Sequence, residues 1–193
     1  MAELIGLPEP PPVGATALQP GTFEGVCVLV TGGGTGLGKA IAAEFARLGA
    51  SMVIASRKLE HLEAARAAMD DLGADAISVT CDIRDADAIA AAFDAADEAF
   101  GLPDVLIKAG VKNLTETLAV EWGPYGIQVN SVVPGLFPHE DMTADIQGNL
   151  GALDDKGDRQ PALRTGRRQE LGWAATFLAS PYGRFISGHT LVV

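Results

Sequence analysis

The chain has 193 residues, 48% of them hydrophobic and 20% charged, and a formal net charge of −11. That size and mix specify one globular domain with a real core and exclude a disordered chain. With 14 basic against 25 acidic residues, no cationic excess is present to neutralise phosphates; this argues against nucleic-acid binding, and the acidity reads as solubility.

Met1 to Thr22 is expected to be an arm, because Glu9-Pro10-Pro11-Pro12 and Gln19-Pro20-Gly21 deny it regular structure. It either packs across the domain or hangs free of it. The domain proper is expected over 23–193. Val26 to Val30 is a short, mostly β-branched apolar run, the pattern of a strand buried on both faces. The run breaks at Thr31-Gly32-Gly33-Gly34-Thr35-Gly36-Leu37-Gly38, and a helical pattern opens at Lys39. A strand, a glycine-rich turn and a helix N-terminus make an anion site, because free N–H groups and the positive end of the helix dipole converge where no side chain blocks a phosphate. The spacing Thr-Gly-x-x-x-Gly-x-Gly differs from G-x-G-x-x-G, but the mechanics are the same.

Lys39 to Leu48 carries Ile41, Phe45 and Leu48 at helical spacing, with Gly49 as its stop. Ser51 to Ala55 is a second buried strand, followed by Ser56-Arg57-Lys58. In dinucleotide folds an acidic residue about 20 positions past the first glycine bonds the adenine ribose 2′-hydroxyl. Here a hydroxyl and two cations stand there instead. A carboxylate repels a 2′-phosphate, whereas Ser56 with Arg57 beside it binds one, so NADP(H) is expected over NAD(H). A helix is predicted over Lys58 to Gly73 with Leu59, Leu62, Met69 and Leu72 inward and His61 exposed and inert. Ala76 to Cys81 is a third strand. Asp82 after it is placed to reach an adenine ring and to cap the next helix, two compatible roles; that helix is predicted over Asp85 to Phe100 with Ile89, Phe93, Ala96 and Phe100 inward.

A fourth strand begins at Asp104 and runs to Ile107. Lys108 to Trp122 then reads as a helix, with Val111, Leu114, Leu118 and Trp122 on one face and almost no connecting loop. Gly123 to Gly126 closes it. Ile127 to Val133 is a strand ended by Pro134-Gly135. Residues 136–165 read as an irregular lid or substrate loop with a short helix near 143–150. The last helix is expected over Arg167 to Ser180 and the last strand over His189 to Val193. Arg164, Arg167 and Arg168 read as a solvated basic helix start. No apolar run reaches the roughly 18 residues of a membrane span, and no leader pattern opens the chain. Cys27 and Cys81 lie in strand-like runs and read as small buried apolar residues, not as a disulfide or metal pair, which fits a cytoplasmic compartment. No metal site is expected.

Together these residues resemble the short-chain dehydrogenase/reductase family over about 23–193. Thr31-Gly32-x-x-x-Gly36-x-Gly38 matches its cofactor turn, Asp82 its acidic residue after the third strand, and Asn130-Ser131-Val132-Val133-Pro134-Gly135 its strand near the nicotinamide. The glycine turn, Ala55-Ser56-Arg57-Lys58 and Lys108-Ala109-Gly110-Val111 are most similar to the 2,4-dienoyl-CoA reductase branch, whose members reduce a conjugated dienoyl thioester with NADPH. The resemblance implies an α/β fold, a Rossmann-like doubly wound parallel sheet. It implies NADP(H) held by Thr31, Gly32, Gly34, Thr35, Gly36, Leu37, Gly38, Ser56, Arg57, Lys58, Asp82, Ile83, Lys108, Pro134 and Gly135. It also implies a small-molecule substrate of acyl-CoA type, no nucleic-acid or membrane partner, and homo-oligomers.

The chain departs from the family pattern in one large respect. Lys108 matches the family lysine that holds the nicotinamide ribose and lowers a tyrosine pKa, and is the one catalytic residue carried over. Its i−4 neighbour is Asp104, not tyrosine. The two tyrosines, Tyr125 and Tyr182, match family structural positions, and no asparagine follows the fourth strand. The chain reads as skipping a helix, a strand and the catalytic loop between Ile107 and Lys108, on the order of sixty residues if each βαβ step takes about thirty. Six strands are then expected, one strand and one helix fewer than the family, with part of the family's dimer interface missing. A chain break at that point would instead separate the two Cα atoms by well over about 3.8 Å. His139 replaces a threonine common in the family and reads as a loop residue, with contact to cofactor or substrate as the alternative. Two functions follow from the resemblance: an NADP(H)-dependent oxidoreductase with impaired turnover, or a non-catalytic NADP(H)-binding module.

Overall fold

The computed structural model describes residues 9–108, 114–139, 142 and 161–193. Four strands form one parallel sheet: β1 (Cys27–Thr31), β2 (Ser51–Ser56), β3 (Ala76–Thr80) and β4 (Val105–Lys108), in the order β3-β2-β1-β4. The register runs Cys27 to Ser51 and Val28 to Val105 on the two sides of β1. Helices α1 (Gly36–Arg47), α2 (Leu59–Asp70) and α3 (Ala86–Phe100) connect successive strands. This is the strand–helix alternation of a Rossmann-like fold.

Period-two alternation sorts the central strands between two cores. Val28, Val30, Met52 and Ile54 face a cluster with Phe23, Phe45, Leu48, Leu62 and Met69. Cys27, Leu29, Val53 and Ala55 face Cys81, Ala92 and Ala96. Each such buried side chain contributes roughly 1.5–3 kcal/mol, so burying the central strands on both faces makes this sheet the rigid part that carries the turn after β1. Phe23 and Phe45 meet edge to face, with ring centroids 4.9 Å apart.

Observed bounds differ from the expected ones where a polar residue decides them. Helix α1 starts at Gly36 because the end of the glycine turn is already helical. Helix α3 is capped by Asp85, which accepts from the N–H groups of Asp87 and Ala88, so Asp82 is not the cap. Leu59 and Ile89, expected inward, are 62% and 37% exposed, since Leu62, Ala65 and Met69 already fill one helix face and Ala92 and Ala96 the other.

The second half holds the main correction. Lys108 does not open a helix: it is the last residue of β4, in register with Thr31 and directly after Ile107, so the strand runs unbroken through the join. Helix α4 spans only Thr115–Trp122 among the described residues. Asp104 is no i−4 helical partner either; its Oδ2 accepts from the Cys27 N–H at 2.9 Å and pins the start of β1. Strand β5 is Ser131–Val133, shorter than the predicted Ile127 to Val133, and pairs in parallel with β6 (Thr190–Val192). Six strands are described, as expected, but not in one sheet: β4 bonds only β1 and β5 bonds only β6 among the described residues. The chain supplies no described strand to bridge them. Leu106 on β4 and Leu114, Val120 and Trp122 on and beside α4 are 42–78% exposed. The expected lid helix near 143–150 lies outside the described residues.

Helix α5 (Arg168–Ala179) packs on α1, burying Leu171, Ala175 and Leu178. Gly172 allows the close approach, because a Cβ there would sit 2.4 Å from Glu44 Cγ. Glu44 is only 1% exposed. It accepts from Arg47 Nη1 at 2.9 Å and from Trp173 Nε1 at 3.0 Å. Trp173 Nε1 also reaches the Ala15 carbonyl at 3.0 Å, and Arg167 pairs with Glu9 at 3.0 Å, so the described part of the arm packs across α5. Burial raises the Glu44 pKa, against the lowering pull of Arg47 and the Trp173 bond. The folded protein therefore binds this proton more readily than the unfolded chain, and stability falls as pH rises from the ordinary glutamate range through the raised value. Glu44→Gln should flatten that slope while keeping the Trp173 bond, which urea unfolding at a series of pH values will measure.

Candidate functional site

The carboxyl ends of β1, β2 and β3 open on a cavity of about 500 Å³. It lies on the side of the sheet where doubly wound folds take their ligands. Of the residues expected to hold a cofactor, Thr31, Gly32, Thr35, Ser56, Arg57, Lys58, Asp82 and Ile83 line it. Three further residues line it that were not expected there: His61, Cys81 and Arg84. Gly34, Gly36, Leu37, Gly38, Lys108, Pro134 and Gly135 do not. Lys108 is exposed beside Thr31 at the sheet end, and Pro134 and Gly135 are exposed at the end of β5.

The glycine turn is built by close approach. A Cβ on Gly38 would lie 2.3 Å from the Gly32 carbonyl oxygen, so the start of α1 rests directly on the end of β1. A Cβ on Gly34 would meet His61 Cβ at 2.9 Å and Ser56 Cβ at 3.3 Å, which seats the turn against β2 and α2. Thr31 is committed to the scaffold, since its hydroxyl donates to the Ile107 carbonyl at 3.1 Å and ties β1 to β4. His61 is not the free surface residue expected; its side chain is 35% exposed, with Nε2 3.7 Å from Glu60.

Ser56 ends β2 and the exposed Arg57 follows it, so no carboxylate stands at the position that would meet a ribose 2′-hydroxyl. Lys58 lies 3.6 Å from Glu60. Asp82 is held by Arg84: Nε donates to Oδ1 at 3.0 Å and to Oδ2 at 3.2 Å, Nη2 donates to Oδ2 at 2.5 Å, and the Arg84 N–H donates to Oδ1 at 3.1 Å. These bonds, the side-chain ones first, hold the Asp82 carboxyl far below the usual carboxylate range. Burial pushes the Cys81 thiol up, so it stays neutral. The sequence signal for Arg84 is the spacing Asp82-Ile83-Arg84, which lets an arginine fold back on an aspartate two residues earlier.

His139 lies over the glycine turn. A Cβ on Gly36 would be 3.0–3.4 Å from three atoms of its imidazole ring, and its Nδ1 is buried with no hydrogen-bond partner among the described residues. The ring thus sits where the turn would meet a pyrophosphate, not in free solution as a plain loop residue. Phe137, 6% exposed and packed over Gly166, anchors that segment. Arg164 is not a solvated cation: it donates twice to Glu170, both at 2.8 Å. The residues fit a nucleotide with a 2′-phosphate on two counts: a hydroxyl with cations at the end of β2, and an imidazole nitrogen over the turn that has no partner among the described residues.

Residues 26–108 match the family model for short chain dehydrogenases, and residues 105–193 match a model described as enoyl-(acyl carrier protein) reductase. An uncharacterized oxidoreductase of Caenorhabditis elegans, F53C11.3, is 30% identical over 92% of this chain and 81% of its own. A probable 2,4-dienoyl-CoA reductase of the same worm, decr-1.2, is 28% identical over 89% and 80%. The solved structure of a short chain dehydrogenase from Burkholderia cenocepacia J2315 in complex with NADP superposes with a TM-score of 0.78 at 25% identity, over 89% of this chain and 97% of that one. The alignment with F53C11.3 runs to 255 positions yet takes in 92% of the 193 residues here, so a large part of the worm protein's aligned length faces gaps in this chain. The two family models meet at 105–108, the end of β4.

Proposed function

The chain belongs to the short-chain dehydrogenase/reductase family, and on that premise we propose that it binds NADP(H) in the cavity at the ends of β1 to β3 but transfers hydride to substrate only weakly. The observation that carries the first half is the cavity's chemistry: Ser56 and Arg57 at the end of β2, with the glycine turn beside them. NADPH, when bound, supplies the hydride. The residues of this chain cradle the phosphates through the turn, with His139 over it, hold the adenosine end between Arg57 and Asp82, and present Lys108 toward the other half of the cofactor.

What supports the second half is the catalytic set. Neither tyrosine of the chain lines the cavity: Tyr125 and Tyr182 lie on short 3-10 turns after α4 and α5, 80% and 72% exposed. Lys108 ends β4, and the residue four positions before it is Asp104, not a tyrosine. The aligned positions of the worm relative that face gaps here are at least as many as the roughly sixty residues expected to be skipped. The substrate class we assign is an enoyl or dienoyl thioester, from the branch resemblance and the dienoyl-CoA reductase named among the relatives. Two buried, free cysteines suit a reducing, cytoplasmic setting. Among the described residues no helix is long and apolar enough to cross a membrane.

Titration with NADPH and with NADH tests the cofactor half. NADPH should bind at least about tenfold more tightly, the contribution of a charge-assisted contact to the 2′-phosphate. Equal affinities, or none, would remove the assignment of Ser56 and Arg57.

A further inference from the structure

We propose that Arg84 sets the charge of the adenosine end of the cavity by neutralising Asp82, and so determines how strongly the site prefers a 2′-phosphorylated nucleotide over its 2′-hydroxyl counterpart. The proposal rests on the NADP(H) reading above and adds a positioning residue to it. Asp82 lines the same cavity as Ser56 and Arg57. A free carboxylate there would act on a 2′-phosphate in two ways. It would repel the dianion, and it would draw the neighbouring Arg57 guanidinium to itself, since the two already interact electrostatically. Arg84 prevents both. Its fork takes both carboxylate oxygens at 2.5–3.2 Å, and its backbone N–H fixes Oδ1 at 3.1 Å. A fork held this way is directional as well as charged. Lys58 is partly offset by Glu60 at 3.6 Å, which leaves Arg57 as the cation whose availability matters most. The Arg84 side chain is 76% exposed and Asp82 33%, so both can be changed without disturbing the core.

The pair is neutral as it stands. It becomes −1 in Arg84→Ala, +1 in Asp82→Asn, and neutral again when both changes are made. The ratio of NADH to NADPH dissociation constants should follow that charge. At low salt, Arg84→Ala should lower the ratio roughly tenfold, and the double variant should return to within about threefold of the unaltered protein. Asp82→Asn should match or exceed it, and all differences should shrink as ionic strength rises. Melting temperatures of the three variants should stay together, which separates an electrostatic role from a structural one. An unchanged ratio in Arg84→Ala would overturn the proposal. So would a double variant as poor as Arg84→Ala, because Arg84 would then be touching the phosphate itself. The unaltered protein keeps the two failures apart: if it shows no preference for NADPH, the cofactor reading fails first and this proposal falls with it.

Discussion

Replacing Gly38 with alanine should abolish NADPH binding and lower the melting temperature by roughly 6–12 °C. The added Cβ would stand 2.3 Å from the Gly32 oxygen, 2.9 Å from its carbonyl carbon and 3.3 Å from Gly33 Cα. All three are backbone atoms of the turn, so no side chain can swing away. Either α1 lifts off the end of β1 or the turn opens, and each removes the phosphate cradle. Overpacking at a site without slack costs about 3 kcal/mol, and a domain of this size loses roughly 2–4 °C per kcal/mol. Gly123 provides the control, since nothing lies within 4 Å of a Cβ there. Calorimetry and NADPH titration on both variants should leave Gly123→Ala close to the unaltered protein. Gly38→Ala with unchanged melting and binding would mean that α1 does not rest on β1 as closely as described.

The second large effect is on turnover. Reduction of a dienoyl thioester should run about 10²–10⁴-fold slower than in a relative that retains its general acid, the usual contribution of a positioned proton donor. Lys108, on a strand end beside Thr31, can attract a nucleotide ribose, but Asp104 stands where the family pattern puts the tyrosine. His139 carries a free nitrogen, yet it lies over Gly36 at the phosphate turn and so is better placed for the cofactor than for a substrate proton.

The first half of the fold is legible almost directly. Val26 to Val30 and Ser51 to Ala55 are unbroken apolar runs that make sense only between two layers, and the glycines after Thr31 mark the turn. The second half is less legible for a physical reason. Periodicity identifies a strand but not its neighbour, so nothing in Ser131 to Val133 reveals that it pairs with Thr190 to Val192 and not toward β4. Lys108 follows helical spacing with Val111 and Leu114, and its pairing with Thr31 overrides that pattern. The Glu44–Trp173 bond joins residues far apart in sequence, and a buried glutamate on a helix face leaves no trace in local pattern. At the site, the hydroxyl and cation of Ser56-Arg57 are legible because the chemistry sits at a fixed distance from the turn. Arg84 is not, because its role depends on folding back onto Asp82.

One experiment bears most directly on the proposal that this chain binds NADPH but turns it over slowly. The purified chain is mixed with NADPH, binding is followed by fluorescence, and a dienoyl-CoA is then added while absorbance of the reduced nicotinamide is monitored. Saturable NADPH binding with consumption at least about 100-fold below that of an intact relative is the expected result. Consumption at the relative's rate would contradict it, and would place an effective proton donor among residues other than Tyr125 and Tyr182.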